Sequence, residues 1–401
     1  MDPIDKAMDF ALDEYARDPQ AILSEAERKQ ELFGSRDRRL AQWTTSRGCI
    51  YRGCTKRSVR RSHSIQKSGP LLAVSRGGVV LTPQLDLRSG EMRLVERGLS
   101  QASVFPGFCK VHEAFFKPFE ETKDLRQVEH LWLQIYRTIC REVVRLEIEV
   151  ASADQLVTDY AGLRNRALAS IVEEQLGPEW LKRHDVKLKS LELGGDPVLV
   201  PAQEMANELR TVLDELKSEH LAEIESLLPG RLGEAVGPFG FALDELLPVT
   251  LSGLGSFTVI ERGRPRRVLA LLGVFPNIDS MSTTLFMHGK AADAPAMVGY
   301  LRRVQTPLDA LSMVERWMIR GSDHWFVNPD LWQAKDPYGQ RALFREMLDS
   351  SKGIAHAVDT SLFDDLRTRL LHELAGALDE ETLSRERAKL VGPSQRPAAS
   401  Q

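Results

Sequence analysis

Two short cysteine–histidine pairs constrain this chain more than any other feature. Cys49 and Cys54 are separated by four residues that include Gly53, and Cys109 and His112 by two. Zinc takes four nitrogen or sulfur ligands in a tetrahedron, usually as two close pairs brought from separate loops. The first pair flanks a tight turn, as a zinc knuckle requires. The second follows Pro106-Gly107 and opens a helical run. Between the pairs, Leu71-Leu72-Ala73-Val74, Val79-Val80-Leu81 and Met92-Arg93-Leu94-Val95 read as strands, with turn signals at Gly77-Gly78 and Ser89-Gly90. A knuckle, a hairpin and a helix that donates the last pair make a treble-clef arrangement. It would hold a structural Zn²⁺ on Cys49, Cys54, Cys109 and His112. The competing reading makes both cysteines small buried hydrophobes and His112 a core histidine. Cys140 lies inside an apolar helix and reads as core in either case.

The rest of the chain reads as α+β and mostly helical. Residues 1–45 form N-terminal helices: Ile4, Met8, Ala11, Leu12 and Tyr15 share one face, and a charge-dense run covers 24–40. Residues 46–120 are the zinc module. From 121 to 230, Leu125, Val128, Trp132, Ile135, Ile139, Leu146 and Val150 recur at helical spacing and predict a long hairpin or small bundle. That bundle is the surface offered to a protein partner or a second copy of the chain. A Gly-Pro-rich hinge at 229–240 leads into a C-terminal mixed α/β domain over 231–380. Its strands are expected at 248–260, 267–275 and 283–288, with Gly263-Arg264-Pro265-Arg266 as a turn. Helices are expected near 308–320, 338–350 and 361–378, and 381–401 reads as a disordered tail.

Composition narrows the class. In 401 residues, 53 Lys and Arg face 57 Asp and Glu, a net charge of -4, which excludes a uniformly basic nucleic-acid coat protein. A hydrophobic share of 42% beside 27% charged residues excludes a wholly disordered chain. No apolar run approaches the roughly 20 residues of a membrane helix, so no membrane partner is expected. Four cysteines do not make a disulfide scaffold, and the reading is a reducing cytoplasm.

One local patch breaks the overall balance. Arg52, Lys56, Arg57, Arg60, Arg61 and Lys67 crowd the knuckle, with no Asp or Glu between Cys49 and Lys67. Such a cluster suits phosphate neutralisation by nucleic acid, and Tyr51 offers a ring for a base. The bland alternative is a solvated loop balanced by acidic helices.

Inside the patch lies Ser62-His63-Ser64-Ile65-Gln66, followed later by Phe108-Cys109-Lys110-Val111-His112-Glu113. The order knuckle, histidine at a strand end, hairpin and helix-opening pair resembles the HNH, or ββα-metal, nuclease family over about residues 46–120. It is similar also to a group of bacterial proteins with Ser-His-x-Ile-Gln and Phe-Cys-x-x-His-Asp stretches. The resemblance implies a metal-dependent endonuclease acting on DNA, of the kind that serves bacterial defence against phage. His63 would be the general base, and Glu113 a ligand of a catalytic Mg²⁺ or Mn²⁺. Three departures stand against it: Ser62 precedes the base where an acidic residue or His is usual, no clear Asn follows, and Glu113 replaces a His. A non-catalytic zinc-finger scaffold that binds nucleic acid and recruits a partner is the other function carried forward. Asp323-His324 suggests a dyad but lacks a nucleophile elbow, and His288-Gly289-Lys290 lacks phosphate-loop spacing.

Overall fold

The computed structural model describes residues 2–19, 39, 41–86, 90–122, 125, 127–191, 196, 199–228 and 237–390. The fold is mixed α+β. The charged run at 24–40 lies almost wholly outside the described residues, as do most of the 229–240 hinge and residues 391–401. The first part of the tail expected at 381–401 is instead the helix Glu380–Ala388, capped by Asp379 and anchored by the buried Leu383 and Glu386. Contacts divide the chain into two compact units: Met1–Thr45 with Arg145–Glu215, and Ser46–Val144 with Leu216–Gln401.

The first unit is helical. Helix Pro3–Arg17 starts at Asp2, whose carboxylate accepts from the Ile4 amide, and buries Ala7, Ala11 and Tyr15 against Leu168 and Val172. The Tyr15 hydroxyl donates to Asp196 at 2.6 Å, and Arg164 pairs with the same carboxylate. Helix Leu199–Glu215 runs back beside the long helix Val128–Leu176, where Arg210 pairs with Asp154. The 49 residues of that long helix are continuous, because no Gly-Pro break interrupts them before Gly177-Pro178.

The second unit is built on an antiparallel sheet of seven strands, ordered β3-β2-β9-β6-β7-β8-β5. Two more strands, β1 (Ser62–His63) and β4 (Val104–Phe105), pair separately, with Ser62 opposite Phe105 and His63 opposite Val104. The large sheet comprises β2 (Val79–Asp86), β3 (Glu91–Gly98), β5 (Phe239–Leu243), β6 (Val249–Glu261), β7 (Arg264–Asn277), β8 (Ser282–His288) and β9 (Trp325–Val327). Leu81 of β2 faces Val327 of β9, so the N-terminal hairpin and the C-terminal strands share one sheet. The separate domains expected at 46–120 and 231–380 are therefore joined by strand pairing. Helix Pro307–Arg320 covers the sheet with Leu311, Val314 and Trp317, starting from a Thr306–Asp309 capping box.

Two local expectations fail for clear reasons. Leu71-Leu72-Ala73-Val74 is a helical turn, not a strand: Leu71 and Val74 are buried while Leu72 is exposed, so the run has a helical and not a two-residue period. The β6–β7 turn falls at Arg262-Gly263, one residue earlier than expected. Both residues have positive φ (52° and 77°), as a two-residue hairpin turn matching strand twist requires, and Arg264 already belongs to β7.

Candidate metal centre

The ligand atoms of Cys49, Cys54, Cys109 and His112 lie within 4.8 Å of one another. Cys49 Sγ stands 3.3 Å and Cys109 Sγ 3.5 Å from His112 Nδ1, and Cys54 Sγ stands 3.9 Å from Cys109 Sγ. Four ligands around zinc with Zn–S bonds of about 2.3 Å leave sulfurs about 3.8 Å apart, so the spacing fits a tetrahedral zinc. The thiols are unbridged. Three soft sulfurs and one imidazole also match zinc's donor preference.

Backbone hydrogen bonds shape each pair. The Cys49 amide donates to the Lys56 carbonyl at 2.9 Å and the Cys54 amide to the Tyr51 carbonyl at 3.0 Å, closing a turn in which Gly53 takes a φ of 75°. The Ile50 and Val59 amides donate to the Gly107 and Phe108 carbonyls, which brings the knuckle onto the second pair. Cys109 is the N-cap of helix Lys110–Glu113. Burial alone raises its thiol pKa, yet the His112 and Val111 amides aimed at the sulfur hold it below the ordinary value, as a thiolate ligand needs. At Cys49 burial dominates and pushes the metal-free thiol up to about 11. The Tyr51 ring stacks on His112 at 3.9 Å. One face of the ring is therefore taken up by His112.

Beside the centre, the Ser-His-x-Ile-Gln stretch is tied into the core residue by residue. Ser64 Oγ meets Ser103 Oγ at 2.8 Å and His324 Nε2 at 3.1 Å. Gln66 Nε2 donates to the carbonyls of Phe119 (2.9 Å) and Glu120 (3.1 Å), finishing the short helix Lys117–Glu120. Gln134 Nε2 donates to the Ser64 carbonyl at 2.7 Å. His324 is wholly buried, its Nδ1 lies 2.6 Å from the Ser252 carbonyl, and burial pushes its pKa down to about 3. It serves the sheet, and no dyad with Asp323 forms.

His63 is half-buried, with Nδ1 3.0 Å from the Ala102 carbonyl. A carbonyl can only accept, so Nδ1 carries the proton and Nε2 keeps its lone pair. Burial first, then the Arg137 charge, lower its pKa, so the ring is neutral at pH 7. Glu113 lies beside Ser62, and its Oε1 accepts from Arg137 Nη2 at 2.8 Å. The same Nη2 donates to Glu120 Oε1 at 2.7 Å. Arg137 is 0% exposed and its guanidinium lies 4.2 Å over the Phe116 ring. Burial raises the Glu113 pKa and Arg137 opposes it. Mg²⁺ and Mn²⁺ need several oxygen ligands, carboxylates foremost. Both carboxylates here are already paired with a fixed cation, and the remaining oxygen donor, Ser62 Oγ, is neutral. These residues do not fit a catalytic divalent cation.

Arg52, Lys56, Arg57, Arg60, Arg61 and Lys67 are all exposed. Among the described residues none of the six makes an ion pair, although Arg52 lies near Glu225. Arg57 instead donates to the Ser46 carbonyl. Arg137, Glu120 and Gln134 escaped sequence reasoning. The available signal was a cation and an amide, Arg137 and Gln134, set in an apolar helical seam between Trp132 and Ile139, which burial on all sides would force to find partners. Among the described residues no helix is long and apolar enough to cross a membrane. No family model, curated protein or solved structure matches this chain.

Proposed function

We propose that this chain is a nucleic-acid-binding protein whose basic face is held in shape by a treble-clef zinc module, with DNA as its target. The observation that carries this reading is a run of six exposed cations in and after the ligand turn, with no Asp or Glu between Cys49 and Lys67. Phosphate contacts by such residues release counterions, each adding about one unit to the salt dependence of binding. Arg57, Arg60 and Arg61 lie on the stretch between the knuckle and β1, so the folded centre fixes their spacing. Replacing all three by alanine is expected to weaken binding of a labelled duplex by roughly 100-fold at moderate salt and to flatten the salt slope by up to about three units. Fluorescence anisotropy at several salt concentrations measures both. Equal affinity and slope for wild type and variant would remove the proposal.

A second reading is an HNH-like endonuclease, favoured by the anchored, neutral His63. Its Nε2, which makes no hydrogen bond among the described residues, is suited to take a proton from a water attacking a phosphodiester. On this reading the chain would be an effector of bacterial defence, a context that rests on the resemblance alone. Plasmid DNA incubated with zinc-loaded protein and Mg²⁺ or Mn²⁺, wild type beside His63→Ala, decides it. Cleavage that disappears only in the variant makes His63 the base. The paired state of Glu113 and Glu120 leads us to expect no cleavage by either.

A further inference from the structure

We infer that the Arg137 guanidinium stands in the place of a metal ion in the cluster beside His63, closing that cluster to divalent cations. The inference deepens the non-catalytic reading and rests on it for its meaning, whereas its test reads metal and not DNA. Four observations carry it. One nitrogen, Nη2, bridges Glu113 at 2.8 Å and Glu120 at 2.7 Å, the geometry of a single cation shared by two carboxylates. The arginine side chain is fully buried, so the charge cannot swing out into water. Its plane is clamped by Phe116 at 4.2 Å and Phe119 at 5.3 Å, which keeps it in place without further hydrogen bonds.

The fourth is the oxygen donor beside the pair. Ser62 is 0% exposed, and its hydroxyl lies against the Glu113 carboxylate and interacts with it. An oxygen-ligated cation placed there would have both groups at hand. A doubly charged ion drawn there meets the guanidinium on the neighbouring carboxylate oxygen, and the burial of Arg137 leaves their repulsion weakly screened. Removing the guanidinium while keeping its packing frees both carboxylates at once. A charged pair of carboxylates with a hydroxyl nearby is then a ligand set of the kind that Mn²⁺ accepts.

The test uses the full-length, zinc-loaded protein and Mn²⁺ as the probe, followed by the loss of the free-ion electron paramagnetic resonance signal. Wild type is expected to show no site that depends on Glu113. Arg137→Met, with zinc content and circular dichroism unchanged, is expected to gain one Mn²⁺ site at least roughly tenfold tighter than any in wild type. Adding Glu113→Gln to that variant abolishes the gain. A folded Arg137→Met protein that binds Mn²⁺ no better than wild type overturns the inference. So does a Mn²⁺ site in wild type that Glu113→Gln removes, and this comparison holds even where Arg137→Met does not fold.

Discussion

Replacing Cys109 by serine is expected to strip the metal from the protein and to unfold the knuckle around it. Cys109 is the hinge of the site: its sulfur faces both Cys54 and His112, its amide donates to Cys49 Sγ at 3.3 Å, and its residue caps the helix carrying His112. A serine hydroxyl is a poor zinc ligand at neutral pH, so one substitution removes a bond and leaves three ligands to an open site. Structural zinc contributes about 10–16 kcal/mol in isolated finger peptides, and that binding energy is folding energy. In this chain the neighbouring apolar cluster of Phe105, Phe108, Phe116 and Tyr136 also supports the segment. The net loss is therefore smaller than in a free finger. We expect more than about 4 kcal/mol, seen as a fall in Tm on the order of 10 °C with zinc near zero by elemental analysis. Cys140→Ala is the control. Cys140 is fully buried in the long helix and outside the ligand set, so that variant keeps its zinc. A Cys109→Ser protein with full zinc and unchanged Tm would exclude the site.

The second large effect lies far from the metal, at Arg367. Its guanidinium is 0% exposed and pairs with Glu315 and Glu386, themselves only 2% and 6% exposed, while Nε donates to Ser361 Oγ at 3.1 Å. Lys389 adds a second cation against Glu386 at 2.8 Å. The network ties helices Pro307–Arg320, Asp364–Glu373 and Glu380–Ala388 together beneath the sheet. Removing one partner of a buried pair strands the other charges without water, at a cost of about 3–5 kcal/mol. Arg367→Met fills the same space and should lower stability by that amount in urea unfolding. The double variant Arg367→Met with Glu315→Gln should recover part of the loss, because one orphaned carboxylate has been neutralised. A single variant within about 0.5 kcal/mol of wild type would mean the network is solvated or optional.

What could be read in the sequence and what could not follow from the range of the interactions. The cysteine–histidine cluster was legible because each pair is local: a knuckle and a helix N-cap are written within six residues, and metal chemistry restricts which residues could serve. The strands β6 to β8 and helices Pro307–Arg320 and Pro337–Leu348 were legible through β-branched runs and apolar period. The partnership of β2 with β9 was not, because Leu81 and Val327 meet across 245 intervening positions and nothing local marks either as the other's neighbour. The composition shift near 231 was therefore mistaken for a domain boundary.

The chemistry beside His63 was hidden for another reason. Sequence rules place a lone arginine on a helix surface, whereas Arg137 is buried against two carboxylates from the preceding loop helices. Glu113 looked like a metal ligand because its partner could not be seen. Ser64, Ile65 and Gln66 looked like the frame of an active site. They lock β1 to Ser103 and to the end of helix Lys117–Glu120.

All of this depends on one centre. The direct measurement is zinc content with X-ray absorption at the zinc edge on protein purified under reducing conditions. The account predicts one zinc per chain with three sulfurs at about 2.3 Å and one nitrogen at about 2.0–2.1 Å. Protein free of zinc that stays folded, or a shell of nitrogen and oxygen without sulfur, would contradict it.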